Sequence, residues 1–249
     1  GTKDGPWTAW PDNPNSPPQL AKAVADLGFD SCSTASNHTL DQGFDGVVNT
    51  IKALDGAGVP HSGTAATPEE AKRINIIEAN GVKVAHLAYT YGLGGVDPPN
   101  DFCCNVIDPT LIIADAEAAR RIGADMVVVS LHAGDEGIAT PNDFQKYVVQ
   151  TLADSGQVNL VIGHHAHVVQ PVTKVGNMWV AYGHGNLLDA QSRRDPRSED
   201  GLLTMFTFTE QPDGTFLGTK AVGYAITNYD YPFRSEEHTS ELQSRQYLV

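Results

Sequence analysis

The segment 159–170 constrains the fold of this chain more than any other stretch. Residues 160–162 are a short apolar run ended by a glycine, which is typical of a buried strand in an α/β sheet. Three histidines follow within four positions, namely His164, His165 and His167. Ligands of α/β sheets bind beyond the carboxyl ends of such strands, and neutral imidazole is the commonest protein metal ligand. The segment therefore predicts a core strand that delivers metal-binding side chains.

The spacing of these histidines predicts how they divide. His165 and His167 are two positions apart, so an extended backbone would place them on one face. His164 would then point the other way, where we expect it to pack or cap. A histidine-rich surface turn is the alternative, and the apolar residues on both sides of the cluster argue against it.

Helical and strand patterns alternate along the chain before strands dominate its last part. Helical spacing covers residues 18–27, 44–57, 109–122 and 141–155, with a short helix starting at 67–70. Strand patterns cover residues 29–34, 61–64, 74–78, 82–91, 126–131, 160–162, 172–175, 178–182, 202–209 and 216–226. Residues 92–104 and 189–200 are predicted loops. This order indicates an α/β sandwich whose last part is antiparallel, in one domain over residues 1–233.

Several strand ends deliver groups that can bind metal. They are Asn37 with His38, then His132, then His165 with His167, and a weaker fourth group of His184 with Asn186. A lone histidine at a strand end is more often structural, but several at carboxyl ends in one topology predict a convergent site. Imidazole with oxygen ligands suits Mn, Fe or Zn, and the lack of cysteine at these ends disfavours a structural zinc site.

Charge and composition narrow the classes of partner. The formal net charge is −14, which disfavours nucleic acid because phosphate binding needs clustered Lys and Arg. A site for anionic substrates would then need metal ions to supply positive charge. No apolar run approaches the roughly 18 residues of a membrane span, and no signal segment is visible. The three cysteines leave two alternatives open: a bridge from Cys32 to Cys103 or Cys104, or buried free thiols.

Four sequence blocks together resemble one known family. Residues 36–43, 130–137, 163–170 and 182–187 are similar, in the same order, to the signature blocks of the CapA family of poly-gamma-glutamate capsule biosynthesis, which is related to calcineurin-like metallophosphoesterases. The similarity covers residues 17–231. It implies an α/β fold, a four-layer αββα metallophosphoesterase-like sandwich, with a site for two divalent metal ions.

The resemblance also implies roles for individual residues. Asn37 would bind one metal, His38 would be the acid that protonates the leaving group, and Asp41 would orient His38. His132 and His165 would share the metal held by Asn37.

Four further residues complete the implied site. His167 would bind the second metal. Glu136 would line the site as a base or through substrate contact, with a residue of the rim as the alternative. Asn186 would lie beside it or make a turn, and His184 would line the same site.

The chain departs from the family pattern at its start. The N-terminal Gly-Asp and Asn-Leu-Glu blocks, which would supply the acidic ligands, have no counterpart, because Asp4 and Asp12 lack strand context. We therefore expect a sandwich that is incomplete at its N-terminus, and a fragment that binds metal poorly and is inactive. Residues 234–244 resemble an in-frame translation of a sequencing adapter, so we treat residues 234–249 as an artefact outside the fold.

Two functions remain in competition after these observations. The first is a dinuclear-metal-dependent hydrolase or phosphoesterase-like protein of capsule biosynthesis at the bacterial cell surface. It would act on an acidic polymer or phosphoester, beside membrane-bound synthesis machinery. Its full-length form would be extracytoplasmic, as a membrane-anchored protein or lipoprotein. The second is a non-catalytic surface protein that binds or tethers an acidic capsule polymer during export. A nucleotide-binding α/β protein is disfavoured because no glycine-rich phosphate loop is present.

Overall fold

The computed structural model describes residues 15–187, 195–229 and 234–237. Its contacts divide the chain into two compact units, Gly1–Ala124 and Asp125–Val249. Asp4 and Asp12 lie outside the described residues.

The first unit alternates short strands with helices. Its elements are α1 Gln19–Asp26, β1 Cys32–Ser33, α2 Gly43–Ala57, β2 His61–Ser62, α3 Pro68–Ala71, β3 Asn75–Ala79, β4 Val82–Thr90 and α4 Pro109–Arg121. Strands β1 and β2 pair in parallel, and β3 and β4 pair antiparallel. The β3–β4 turn is at Asn80 and Gly81, both with positive φ, as the Asn-Gly dipeptide predicts.

Local sequence signals determine where the helices of this unit begin and end. The Thr67 side chain caps α3 by accepting a hydrogen bond from the Glu70 N–H, and Asp108 caps α4 in the same way. Helix α2 ends at Gly58, whose φ of 71° is left-handed. The apolar face of α2 is buried at Val47 and Ile51, as its spacing predicts.

The second unit contains a group of parallel strands with one antiparallel neighbour, and a separate set of antiparallel strands. Its elements are β5 Met126–Ala133, α5 Asp143–Ser155, β6 Leu160–His165, β7 Val172–Val175, β8 Met178–Ala181, a 3-10 helix Pro196–Glu199, β9 Asp200–Glu210, β10 Phe216–Tyr229 and β11 Arg234–Glu237. Strands β5, β6 and β8 lie side by side in parallel, and β7 pairs antiparallel with β8. Strand β10 pairs antiparallel with both β9 and β11.

Two details of this unit differ from the sequence prediction. Strands β5 and β6 run on to Ala133 and His165, so the first histidines of the cluster are part of the sheet. Helix α5 buries Val148, Val149 and Leu152, but Phe144, which the helical spacing places with them, is 41% exposed. The reason is the capping box between Asn142 and Gln145, which turns Gln145 inward with the predicted apolar face.

No disulfide joins Cys32 to Cys103 or Cys104, although such a bridge was one of the two alternatives. Cys103 and Cys104 are disulfide-bonded to each other, and Cys32 is free. Cys103 is fully buried in an apolar cluster with Leu40 and its neighbours, whereas Cys32 packs in a different cluster against Leu54. This separation excludes the pairing. Burial raises the pKa of the Cys32 thiol.

The ends of the predicted loop and tail are partly described. Residues 195–200 of the predicted 189–200 loop form the 3-10 helix and the start of β9, while residues 188–194 lie outside the described residues. Strand β11 pairs with residues 226–229, and residues 238–249 lie outside the description. The assignment of the tail to an artefact and the single domain over residues 1–233 stay predictions. Within the part described, no helix is long and apolar enough to cross a membrane.

Candidate metal centre

The histidines of the second unit converge at the carboxyl ends of two parallel strands. The register of β5 and β6 places His132 opposite His164. The ring of His132 lies 4.8 Å from that of His164 and 4.7 Å from that of His165, measured between centroids. The ring of His167 follows at 6.4 Å from His165. The structure therefore brings together three of the predicted ligands, and adds His164.

The prediction that an extended backbone would place His165 and His167 on one face was wrong. His165, the last residue of β6, has φ 101° and His167 has φ 57°, so the backbone is not extended at either residue and alternation of side chains does not explain their arrangement. The chain bends sharply at both residues and still brings the two rings together. Non-glycine residues with positive φ are uncommon and cluster at functional sites.

His164 packs, as expected, but it packs within the cluster. Its Nδ1 lies 2.6 Å from the Nδ1 of His132, so one imidazole donates a hydrogen and the other accepts it. The parallel register of β5 and β6 creates this contact. Sequence reasoning missed it because residue spacing within one strand carries no information on register.

The close packing around the cluster depends on Gly163. A Cβ at this position would lie 2.9 Å from the Ala181 carbonyl oxygen and closer still to the backbone of Tyr182. Only glycine allows β6 to approach the end of β8 this closely. The Gly163 carbonyl also accepts a hydrogen bond from the His184 backbone N–H at 3.2 Å.

Asn186 holds His167 in one orientation. The His167 Nδ1 donates to the Asn186 Oδ1 at 2.9 Å, and the Asn186 amide nitrogen donates to the Ser198 carbonyl at 2.8 Å. Asn186 is buried. Because Nδ1 carries the hydrogen, the Nε2 of His167 is left with a lone pair, which is the arrangement found in metal-binding histidines. Ser198, in the 3-10 helix, had no sequence signal that predicted this contact.

His184 connects the strands around the cluster. Its Nδ1 donates to the Gly163 carbonyl at 3.2 Å, and its Nε2 lies 3.1 Å from the Thr204 hydroxyl. Burial lowers the pKa of His184, and the hydrogen bond to Gly163 opposes that effect in part. With both ring nitrogens in hydrogen bonds, His184 acts as a support for β6 rather than as a ligand.

Glu136 lies in the exposed turn after β5. Within residues 15–187, 195–229 and 234–237 its carboxylate has no hydrogen bond or ion pair. The structure therefore places it at the exposed surface, and its suggested role as a base stays a prediction.

The remaining predicted site residues lie in the loop after β1 of the first unit. The His38 Nδ1 lies 2.7 Å from the Asp41 Oδ2, with the His38 side chain 42% exposed and that of Asp41 17% exposed. The Asn37 Oδ1 accepts a hydrogen bond from the Ser36 hydroxyl at 3.3 Å. Asp41 is thus in the position predicted for orienting His38.

The donors of the second-unit cluster fit a metal ion in kind but supply only part of a shell. Imidazole nitrogen and amide oxygen suit Mn, Fe or Zn. Among the residues that the structure describes, no group of three or more His, Cys, Asp or Glu is arranged to hold an ion. The cluster therefore matches the imidazole portion of a metal shell, and negatively charged oxygen ligands would have to come from elsewhere.

Comparison with known protein families supports the resemblance stated for the four sequence blocks. The family model described as bacterial capsule synthesis protein PGA_cap matches residues 1–191. The chain belongs to the PGA_cap family. The resemblance inferred from the four sequence blocks is confirmed.

Two curated relatives of this PGA_cap chain are named CapA. It is 28% identical over 201 residues to the PGA biosynthesis protein CapA of Bacillus subtilis (strain 168), covering 80% of the chain and 52% of that protein. It is 29% identical over 193 residues to the capsule biosynthesis protein CapA of Bacillus anthracis, covering 76% and 46%. The chain thus spans about half the length of the curated relatives it matches.

Solved structures similar to this PGA_cap chain identify its fold. The NAD nucleotidase NadN of Haemophilus influenzae matches with a TM-score of 0.54 at 12% identity, covering 92% of this chain and 44% of that one. The sulfate thiohydrolase SoxB of Thermus thermophilus matches with a TM-score of 0.53 at 12% identity, covering 84% and 34%. At this identity the likeness concerns the fold alone. The predicted α/β, metallophosphoesterase-like fold class is confirmed.

Proposed function

We propose that the protein is a dinuclear-metal-dependent hydrolase of the PGA_cap family. The observation that carries the proposal is the convergence of three half-buried imidazoles, those of His132, His165 and His167, at the ends of β5 and β6. Such a concentration of imidazole is the donor set of transition-metal sites. The bent backbone at His165 and His167 points the same way, because such strain persists at functional sites.

Each residue of the cluster has a distinct part in this proposal. His167, oriented by Asn186, would bind one metal through its Nε2, while His132 and His165 would hold the other. Two divalent ions, Mn, Fe or Zn, would polarise the substrate oxygen and activate water. Carboxylates outside the cluster would complete the charge of the shell.

His38 and Asp41 supply the acid in the same proposal. The Asp41 carboxylate accepts a hydrogen bond from His38 Nδ1, which fixes the orientation of the ring. In the proposal, His38 Nε2 would be the atom that passes a proton to the leaving group. The 42% exposure of the His38 side chain keeps it accessible to a substrate.

We extend the proposal to the substrate, the location and the partners of the protein. We propose an acidic polymer or a phosphoester as substrate, because metal ions let a chain of net charge −14 bind an anion. The full-length protein would work at the bacterial cell surface, as a membrane-anchored protein or lipoprotein beside the capsule synthesis machinery.

The test compares metal content and turnover in the protein expressed from its intact gene. His165→Gly removes one imidazole and keeps a backbone that tolerates φ 101°. Asp154→Ala, which removes an exposed carboxylate from α5 of the same unit, is the matched control. We expect two bound metals in the parent and control, and at least a tenfold loss of metal affinity and of turnover in His165→Gly.

Two outcomes would contradict the hydrolase. One is a full-length protein that binds no divalent metal. The other is a His165→Gly variant with unchanged turnover of phosphoester and γ-glutamyl substrates. Polymer binding that is equal in all three proteins, without turnover in any, would instead support the tethering function.

A further inference from the structure

The first unit contains a polar cavity that the proposed metal chemistry does not use. Its volume is about 330 Å³, and no candidate ligand or acid of the metal centre lines it. Pockets for small molecules start at about this size, ~300 Å³. Its wall includes the charged or ionisable side chains of Asp55, His61, Glu70 and Arg73 and several neutral polar ones.

The imidazole of His61 and the carboxylate of Asp55 lie next to each other in the wall. The His61 side chain is 10% exposed, and its Nε2 lies 3.4 Å from the Asp55 Oδ1. Its Nδ1 is buried, and within the described part of the chain it has no hydrogen-bond partner, so the ring makes its polar contact through Nε2. Because Nε2 faces a carboxylate, this part of the wall favours a positively charged or N–H-bearing group.

Glu70 adds a second acceptor that is held in place locally. One of its carboxylate oxygens, Oε2, accepts a hydrogen bond from the Ala66 N–H at 2.8 Å. The Thr67 cap orders the same turn by accepting from the Glu70 N–H at 3.1 Å. A carboxylate has two oxygens, so the second keeps capacity for a ligand donor.

Arg73 gives the cavity a charge of the opposite sign. It follows Glu70 by one turn, since its N–H donates to the Glu70 carbonyl at 2.9 Å. The side chain is exposed, and among residues 15–187, 195–229 and 234–237 no carboxylate lies within ion-pair distance of its guanidinium. A planar guanidinium in this position is suited to a carboxylate of a ligand.

We propose that this cavity binds a small zwitterion, a molecule with a primary ammonium and a carboxylate as in an amino acid. The ammonium is matched to Asp55 and Glu70, and the carboxylate to Arg73. An anion alone would meet two carboxylates against one guanidinium, and a cation alone would leave Arg73 unused. The inference goes beyond the proposed hydrolase function and does not depend on it.

The test is an NMR titration of the ¹⁵N-labelled chain with three matched probes. L-Alanine carries both charges, propionate lacks the ammonium, and ethylammonium lacks the carboxylate. We expect saturable shifts of the Thr64, Ala65 and Ala66 amides with alanine, and about tenfold weaker binding of either single-charge probe, since each lost charge-assisted contact lowers affinity by about that factor.

Two variants assign the charges to their partners. Arg73→Gln should remove the preference for alanine over ethylammonium, and Glu70→Gln, which keeps the acceptor for Ala66, should remove the preference for alanine over propionate. Lys72→Gln, an exposed neighbour outside the cavity wall, should change neither. Equal binding of propionate and alanine, equal binding of ethylammonium and alanine, or no saturable shift with any probe would each overturn the proposal.

Discussion

The two groups of predicted site residues are held by contacts of different range. In the loop after β1, the pairs Thr39–Thr34 and His38–Asp41 are joined by hydrogen bonds between residues five and three positions apart. In the second unit, the contact between His132 and His164 spans 32 positions. The loop is therefore a local motif, whereas the histidine cluster depends on how strands pair.

This difference predicts that substitutions will affect the two groups of residues differently. A change that separates strands of the second unit should disturb the histidines, while a change at the His38–Asp41 pair should act mainly on that local contact. The following predictions test that contrast, beginning with the largest expected effect.

Gly163→Ala should damage the second unit most. The added Cβ would lie 2.9 Å from the Ala181 carbonyl and closer to Tyr182, and backbone atoms cannot move aside cheaply. We expect a loss of about 4 kcal/mol in the free energy of unfolding, measured by urea denaturation. Gly56→Ala, on α2 with nothing within 4 Å of its Cβ, is the control and should be neutral or slightly stabilising. A Gly163→Ala variant as stable as this control would show that strand contact does not hold the cluster.

His86 tests whether the stability of the first unit also depends on contacts between residues that are far apart in sequence. It lies on β4, and burial lowers its pKa to about 4. Its Nδ1 lies 2.7 Å from the Ser31 hydroxyl, which accepts a hydrogen bond from the Asn75 amide at 2.8 Å. The polar contacts around this ring thus join distant segments of the unit, unlike the hydrogen bond between His38 and Asp41.

The sign of the pH effect follows from this lowered pKa. The unfolded chain takes up a proton near pH 6.5, its ordinary value, while the folded chain takes it up only near pH 4. Stability should therefore fall as the pH drops from about 6.5 to about 4, by about 3 kcal/mol. The measurement is the difference in urea midpoint between the parent and His86→Asn across that range. Parallel pH profiles for the two proteins would contradict the assignment.

Asn186→Ala should have an intermediate effect on the second unit. It removes the acceptor of His167 Nδ1 and the donor to the Ser198 carbonyl, both in buried surroundings. We expect a loss of about 2 kcal/mol in unfolding free energy. In the full-length protein, metal affinity should fall by roughly 10- to 100-fold, because the orientation of His167 is lost. Asn177→Ala, in the β7–β8 turn, is the control. Unchanged metal affinity would mean that Asn186 stabilises the fold but does not orient His167 for metal binding.

The same contrast explains what could be predicted from the sequence. The β3–β4 hairpin and the histidines at strand ends were predictable because each depends on a few adjacent residues, such as Asn80 and Gly81. The contact between His164 and His132 was not, because it depends on the register of β5 against β6. The positive φ of His165 and His167 has no local sequence signal either, since it follows from where the sheet ends and how the next segment returns.

Asp41→Asn should have the smallest effect on stability and is the sharpest test of the local motif. The His38–Asp41 pair is partly exposed, so solvent screens it, and we expect a change of less than about 1 kcal/mol in unfolding free energy. Asp97→Asn removes the same charge from an exposed loop of the same unit and is the matched control. Turnover by the full-length protein should nevertheless fall at least tenfold in Asp41→Asn alone, because an amide can turn its NH₂ group instead of its oxygen toward His38 Nδ1 and so orients the ring less well than a carboxylate does. A large loss of stability would show that the pair supports the fold. Equal turnover in Asp41→Asn and the control would remove His38 from the proposed chemistry, since an acid that works equally well beside an amide does not use its carboxylate partner.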